Sequence, residues 1–441
     1  MKKGKKAMRR YVFLEEKKSE TVYSPDAWFP VDNAANLYSA AKRRNWARTL
    51  RLAFILNEPV TPELLQRALD DTLVRIPTFS AMVKSGMFWN YFERTNARAT
   101  VQKETATPGR PINTGSTMQP NFRILYYKNR VALEVFHGMT DGGGSIRFLT
   151  SLIARYYELQ GEALSDAPHL LRFGDEPTDE EMKDPYLRNS VEGISAKNYK
   201  EVEAFRIREP LTLNAMRVTH GICRVEDVKR AAGAYALTLT EYLTAVLIQT
   251  YLQTTPTVID KPISVSIPLD LRRRFGTQSM RNFCYMSDIA FDPQGRRDVP
   301  FGEICEAIAG TVQSKATLEY LTQEISQNVR AQSSPLLRPV PYPLKRVFLL
   351  NTYRKNQNSF TTFLSNIGEV LAPPEVLRHI NHAEFTLGET PYNPFGVGIV
   401  SVNGLLTITF NDCRDDMEKQ RFFFRFLTSQ GVPVRVESNR K

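Results

Sequence analysis

Apolar and polar residues alternate from Val131 to His137. Val131, Leu133, Val135 and His137 face one way, and Ala132, Glu134 and Phe136 the other, which predicts a strand ending on a histidine. Gly138, Gly142, Gly143 and Gly144 follow, a run that lets the backbone turn tightly and come close to another chain or ligand. Beyond them Ile146, Leu149, Leu152, Ile153, Tyr156 and Tyr157 recur mostly three and four apart, the stripe of a buried helix.

The rest of the first half supplies partners for this unit. Thr49 to Leu56 predicts a strand that stops at Asn57-Glu58-Pro59. Thr61-Pro62-Glu63 then opens a helix with a cap, a first-turn proline and a first-turn acid, and Leu64, Leu65, Ala68, Leu69 and Leu73 form its apolar face. Thr105 to Pro120 reads as a loop. Asn121 to Tyr127 pairs with the histidine strand through a Lys128-Asn129 turn, so that the hairpin presents His137 at its far end. Ahead of all this, Trp28 to Ala35 reads as an ordered lead-in, which by itself suits a packing plug.

After the helix, Asp175 to Glu203 is rich in Asp, Glu, Lys and Asn, with little apolar periodicity, and reads as a linker. The expected division is 1–174, a linker at 175–205, and 206–441. The second half repeats the strand and helix pattern. A strand is expected near Leu211 to Val218, a helix at Val225 to Ala236, and a buried helix at Glu241 to Leu252 capped by Thr240. Pro262 to Pro268 is a strand that runs into Asp270-Leu271-Arg272-Arg273-Arg274-Phe275. One long amphipathic helix is expected from Phe301 to Arg330. A Pro-rich joint (Pro335, Pro339, Pro341, Pro343) leads to another helix at Leu344 to Tyr353, and Phe360 to Gly368 is β-rich. Val397 to Val402 and Leu405 to Phe410 form a hairpin about Asn403-Gly404, and Asp415 to Leu427 is the last helix.

At 441 residues the chain is long for one core, and two domains of about 200 residues each are expected. A chain that is 42% hydrophobic and 24% charged has the make-up of a water-soluble globule. No apolar run reaches the ~20 residues of a membrane helix, and the basic start MKKGKKAMRR lacks the apolar core of a signal peptide. The expectation is a cytosolic monomer. Cys223, Cys284, Cys305 and Cys413 are scattered without a Cys-x-x-Cys pair, which points to core thiols rather than zinc or disulfides. The net charge of +11 has two readings: a basic mouth for phosphates, or attraction to nucleic acid or anionic lipid. Part of it belongs to a solvated tail carrying Lys2, Lys3, Lys5, Lys6, Arg9 and Arg10, and with no nucleic-acid motif present, no RNA or DNA partner is expected.

His137 and Asp141 are the ionisable groups of the glycine turn. A neutral imidazole, with a reference pKa of about 6.5, can take the proton from a hydroxyl or amine that attacks a thioester. The aspartate suits a structural ion pair that fixes the turn. Two other readings stand beside this one: a metal pair on a helix, which the glycines and the lack of a further His or Cys motif disfavour, and a histidine without chemistry. No Gly-x-Ser-x-Gly elbow is present, so no serine nucleophile is expected.

His137-Gly138-Met139-Thr140-Asp141-Gly142 resembles the His-x-x-x-Asp-Gly signature of the superfamily that includes chloramphenicol acetyltransferase, plant BAHD acyltransferases, alcohol acetyltransferases, wax-ester synthases and peptide-synthetase condensation domains. Condensation domains usually place a second histidine just before the first. Phe136 stands there, which favours a free-standing CoA-dependent enzyme similar to the bacterial alcohol acetyltransferase-like group.

The resemblance implies an α/β fold, an α+β two-layer sandwich of two similar domains around a central tunnel. It implies His137 as general base, acyl-CoA as co-substrate with no bound cofactor or metal, and a small alcohol or amine as acceptor. An acyl carrier protein as donor and an inactive scaffold are the alternatives. Asp270-Leu271-Arg272-Arg273-Arg274 is similar to the family's Asp-x-Arg-x-Arg segment, and Asn282 to an asparagine that follows it, which makes Arg272 the implied partner of Asp141. The competing reading is a basic surface strand end, with Arg273 and Arg274 suited to CoA phosphate. Ser365-Asn366-Ile367-Gly368 is similar to a Ser-Asn-x-x-Gly strand that crosses to the other domain, with the glycine one residue early. Ser365 or Asn366 is a candidate oxyanion donor, or else an ordinary turn former. Asn393-Pro394-Phe395-Gly396-Val397-Gly398 matches the plant Asp-Phe-Gly-Trp-Gly only in part, and the likeness of Trp28 to Ala35 to the start of bacterial relatives implies a border of the active-site channel as the alternative to a packing plug.

Overall fold

The computed structural model describes residues 28–41, 49–95, 97–105, 107–114, 120–193, 203–207, 216–332, 339–388, 395–414 and 416–439. The basic tail, Leu211 to Asn214, Pro335 and Asn393-Pro394 lie outside the described residues.

Two sheets, each with helices on one face, carry the two main apolar cores. The first has five strands in the order Ile380–Leu387, Thr49–Leu56, Arg130–Phe136, Phe122–Tyr127 and Val101–Lys103. Lys128, with φ 52°, makes the turn between Phe122–Tyr127 and Arg130–Phe136. Leu52, Leu133, Ile124 and Phe385 are buried together under the helices Pro62–Arg75 and Gly142–Glu158. The second sheet has seven strands: Cys284–Phe291, Ile263–Asp270, Thr362–Glu369, Phe395–Val402, Leu405–Asp412, Arg217–Arg224 and Arg435–Ser438. It packs on the helices Leu239–Thr254, Phe301–Ile308 and Glu418–Ser429. A smaller sheet joins Phe29–Pro30, Asn90–Arg94 and Ala81–Ser85.

The face of the first sheet turned away from its helices is buried as well, and it is charged. Arg51 lies 2.9 Å from Glu134 and 2.8 Å from Glu104, and Arg123 lies 2.6 Å from Glu134. Glu384 lies 3.2 Å from Arg130, 3.8 Å from His220 on the second sheet, and 3.9 Å from His382. Alternation along the histidine strand thus separates an apolar face from an ion-paired one, and both are shielded from water.

Several sequence expectations need correction. Phe301 to Arg330 is not one helix but three, Phe301–Ile308, Thr311–Lys315 and Leu318–Gln332. Gly310, in the left-handed region at φ 71°, ends the first repeat of the pattern. The cap of the helix Leu239–Thr254 is Thr238, two residues early, because Thr238 and Glu241 form a reciprocal capping box. The strand that joins the first sheet from late in the chain is Ile380–Leu387, paired antiparallel with Thr49–Leu56. Thr362–Glu369 stays in the second sheet, between Ile263–Asp270 and Phe395–Val402. The polar segment after residue 175 holds two short helices, Asp179–Met182 and Pro185–Asn189. It is pinned where Arg75 donates to both oxygens of Glu181 at 2.7 and 2.9 Å. Among the described residues, no helix is long and apolar enough to cross a membrane.

Candidate active site

The histidine strand ends at Phe136, and the chain turns at once through His137 to Thr140 into the helix Gly142–Glu158. Asp141 is the helix N-cap, accepting from Gly144 N–H at 3.0 Å. The same carboxylate receives Arg272 from the second sheet, Nη2 to Oδ1 at 2.7 Å and Nη1 to Oδ2 at 3.0 Å, and the Phe283 N–H at 2.7 Å. Burial works to raise the Asp141 carboxyl, but the Arg272 charge and these donors outweigh it and hold the group below its ordinary value. Arg272 is buried in turn. It donates to the carbonyls of Ser279 and Arg281 and to Asp270 Oδ1, and its two carboxylate neighbours overcome the burial and raise its pKa.

The three consecutive glycines are needed because the second half comes so close. A Cβ on Gly142 would stand 2.3 Å from Ile367 Cγ2, one on Gly143 2.6 Å from Arg272 Nη1, and one on Gly144 2.6 Å from the Met280 carbonyl oxygen. Thr140 Oγ1 donates to that carbonyl at 2.7 Å, and Asn282 donates to the Gly138 carbonyl at 3.5 Å.

His137 lines a cavity of about 680 Å³ between the two sheets, with Asp141, Gly142, Asp270, Arg272, Ser365 and Asn366 also on its wall. The Tyr38 ring lies 4.4 Å from the imidazole, centroid to centroid. Tyr38 belongs to the helix Asn33–Ala41, which also lends Asn33, Ala34, Asn36 and Leu37 to the wall, so the lead-in segment borders the cavity. Asp32 caps this helix by accepting from Ala35 N–H at 2.7 Å, and Arg281 reaches it at 3.4 Å. Burial pushes the Asp32 carboxyl up to about 6, against the pull of Arg281.

The two oxyanion candidates part company. Ser365 lies on the cavity side of its strand, in line with Phe363 and Ile367. The Asn366 amide donates to Thr240 Oγ1 at 3.1 Å, and its oxygen accepts from Gly368 N–H at 3.0 Å, so Asn366 shapes the bend at Gly368 (φ 83°). Arg273 and Arg274 are exposed. Cys284 also lines the cavity, but burial raises its thiol far from thiolate. Cys223 and Cys305 are pushed up to about 12 by burial. Among the described residues, no group of three or more His, Cys, Asp or Glu could hold a metal ion.

Sequence reasoning did not reach Tyr38, Ser266 or Asp288, all on the cavity wall. Ser264 and Ser266, alternating with Ile263, Val265 and Ile267, were the signal for a polar face on that strand.

No protein-family model matches the sequence, and no curated protein does. Solved structures do. The trichothecene 15-O-acetyltransferase TRI3 from Fusarium sporotrichioides matches with a TM-score of 0.59 and 12% identity, over 91% of this chain and 94% of that one. TRI101 of the same organism, complexed with coenzyme A and T-2, matches with a TM-score of 0.59 and 10% identity, over 93% and 99%. The starter condensation domain of rhizomide synthetase, in complex with C8-CoA and Leu-SNAC, matches with a TM-score of 0.56 and 14% identity, over 91% and 94%. At these identities the likeness is one of fold, and this chain shares the α/β fold of TRI3, TRI101 and the starter condensation domain over nine-tenths of its length.

Proposed function

We propose that the chain is an acyltransferase that moves an acyl group, acetyl being the simplest, from coenzyme A to a hydroxyl or amine, acting as a monomer in the cytosol. The observation that carries this reading is His137 on the wall of an inter-sheet cavity, at a turn fixed by Asp141 and Arg272. The fold's occurrence in proteins solved with coenzyme A or C8-CoA supports the donor.

In this reading His137 takes the proton from the acceptor as its oxygen or nitrogen attacks the thioester carbonyl. The carbonyl carbon becomes tetrahedral, and its oxygen, now an alkoxide, is met by the Ser365 hydroxyl. The carbonyl re-forms as the C–S bond breaks. The imidazolium returns its proton to the leaving thiolate, so CoA departs as free thiol and the enzyme ends unchanged. No covalent enzyme intermediate is needed, in keeping with a raised Cys284 thiol. Asp141 and Arg272 position the turn rather than touch the reacting atoms.

The test is thiol release from a panel of acyl-CoAs offered with mixed alcohols and amines, with products read by mass spectrometry. The wild type should release thiol and form the ester or amide. His137→Ala should lose about a hundredfold to ten-thousandfold in rate while melting at the wild-type temperature. Turnover that survives in this variant overturns the assignment of the base. Activity with carrier-bound and not CoA-bound acyl groups would move the donor to an acyl carrier protein, the reading that the condensation-domain likeness supports. No turnover with either donor would leave an inactive scaffold.

A further inference from the structure

The cavity floor is a patch of the second sheet. Along Ile263–Asp270, the residues Ser266, Pro268 and Asp270 face the cavity while Val265 and Ile267 enter the core, and Cys284, Met286 and Asp288 do the same on the neighbouring strand. Their register sets Asp270 beside Cys284, Pro268 beside Met286, and Ser266 beside Asp288. On the other side, Thr362–Glu369 runs parallel to Ile263–Asp270, with Phe363 beside Ser266.

This register gives the floor two ends. Asp270 and Ile367 abut the glycine turn after His137, since Cβ atoms on Gly143 and Gly142 would fall 2.9 Å from Asp270 Oδ2 and 2.3 Å from Ile367 Cγ2. Ser266, Phe363 and Asp288 stand four residues away along the strands, about 13 Å at a rise of ~3.3 Å per residue.

The distant end is built around a carboxylate. Ser266 donates to Asp288 Oδ1 at 2.6 Å and Ser359 donates to Oδ2 at 2.9 Å, which fixes the group at the wall. Lys315 Nζ approaches too, but it donates to the Asp288 main-chain carbonyl, at 2.5 Å, and so leaves the carboxylate itself to the two hydroxyls. Burial raises the Asp288 carboxyl, and the two hydroxyls and the Lys315 charge oppose this without cancelling it. Phe360 and Phe363 supply apolar wall beside it. The phosphates of coenzyme A carry charge of the same sign as this carboxylate, so the nucleotide belongs elsewhere, and the Asp288 end falls to the acceptor.

We propose that Asp288 selects an elongated acceptor whose reacting hydroxyl or amine lies at His137 and whose far end carries a protonated amine, bound by the carboxylate between Ser266 and Ser359. The inference rests on the acyltransferase reading for the identity of the bound molecule as acceptor, but the cation site can be tested without turnover.

Two measurements separate the two ideas. In the first, octylammonium is titrated calorimetrically into the wild type and into Asp288→Asn, with thermal melting to show that the variant is folded. Binding should weaken about tenfold to a hundredfold in the variant, as loss of one charge-assisted hydrogen bond requires. Ser359→Ala, which loosens the carboxylate without removing its charge, should weaken it less. In the second, octanol, its terminal diol and its terminally aminated analogue are compared as acceptors with acetyl-CoA. The aminated compound should have the lowest KM. Asp288→Asn should raise that KM about tenfold to a hundredfold more than it raises the octanol KM, and equal changes for the two acceptors overturn the selection. Equal octylammonium binding by wild type and Asp288→Asn overturns the cation site, whatever the turnover. Octylammonium binding that depends on Asp288 with no thiol release from any donor keeps the site and overturns the transferase reading.

Discussion

Arg272 holds both oxygens of Asp141, at 2.7 and 3.0 Å, across the join between the two halves of the molecule. The pair is buried, and each partner has further hydrogen bonds, so neither charge is stranded while the other is present.

Removing one partner leaves the other unpaired. Asp141→Ala or Arg272→Ala should each cost about 3–5 kcal/mol of stability in urea unfolding, and the double variant should cost less than the sum of the two. Arg272→Lys keeps the charge but not the fork, so it should recover only part of the loss. The Asp141 carboxyl is depressed in the fold. Its contribution should therefore be complete above the ordinary aspartate pKa of about 3.9 and disappear as pH falls below it. Additive single losses would show that the pair does not act as a unit.

The glycine run should rank by what each added methyl meets. Gly144→Ala confronts the Thr140 hydroxyl and, behind it, the Met280 main-chain carbonyl, and Gly142→Ala a branched side chain at 2.3 Å. Both should destabilise by about 1–3 kcal/mol, with Gly144→Ala the worse because backbone cannot turn aside. Melting temperatures check the order, and a wild-type value for Gly144→Ala would contradict the close approach of Met280.

Two buried histidines make stability sensitive to acid. Burial lowers His220 and His382, while Glu384 pulls both the other way, and Arg130, Arg51, Glu437 and Arg435 also bear on the group. A depressed histidine pKa means that stability is full above about pH 6.5 and falls as pH drops through the folded-state value. Asp32 has the opposite sign. Its carboxyl, raised to about 6, costs stability as pH rises from its ordinary value toward 6. The two effects oppose each other in mild acid, so variants separate them. His220→Gln with His382→Gln should flatten the loss on acidification, and Asp32→Asn should remove the loss on the way up to pH 6. Denaturant midpoints across this range decide, and an unchanged slope in the double histidine variant contradicts the first claim.

Ser365→Ala should lower kcat about a hundredfold to a thousandfold with little change in KM, since an oxyanion donor acts in the transition state. Asn366→Ala should act mainly on stability, because its amide is spent on Thr240 and Gly368. Equal effects on kcat would remove Ser365 from the role.

The histidine strand, its hairpin and the following helix were legible in sequence because their periods are long and unbroken, and the Asn403-Gly404 hairpin because its turn residues take positive φ. Arg272 was reached only through the resemblance of residues 270–274, followed by Asn282, to the superfamily's Asp-x-Arg-x-Arg segment, since no periodicity in the chain pairs it with Asp141. Ile380–Leu387 was not read as a strand, because it is filled with His382, Ala383 and Glu384, whose burial depends on a partner sheet far away in sequence. Asp288 was missed for the same reason. Its meaning comes from Ser266 and Ser359, brought to it by strand register and a helix end.

The pairing of Ile380–Leu387 with Thr49–Leu56 also bears on how the molecule is made. As the chain emerges during synthesis, Thr49–Leu56 must wait with one edge bare until Ile380–Leu387, far later in sequence, arrives. A truncated product ending before Ile380 would keep that edge open, a template for aggregation.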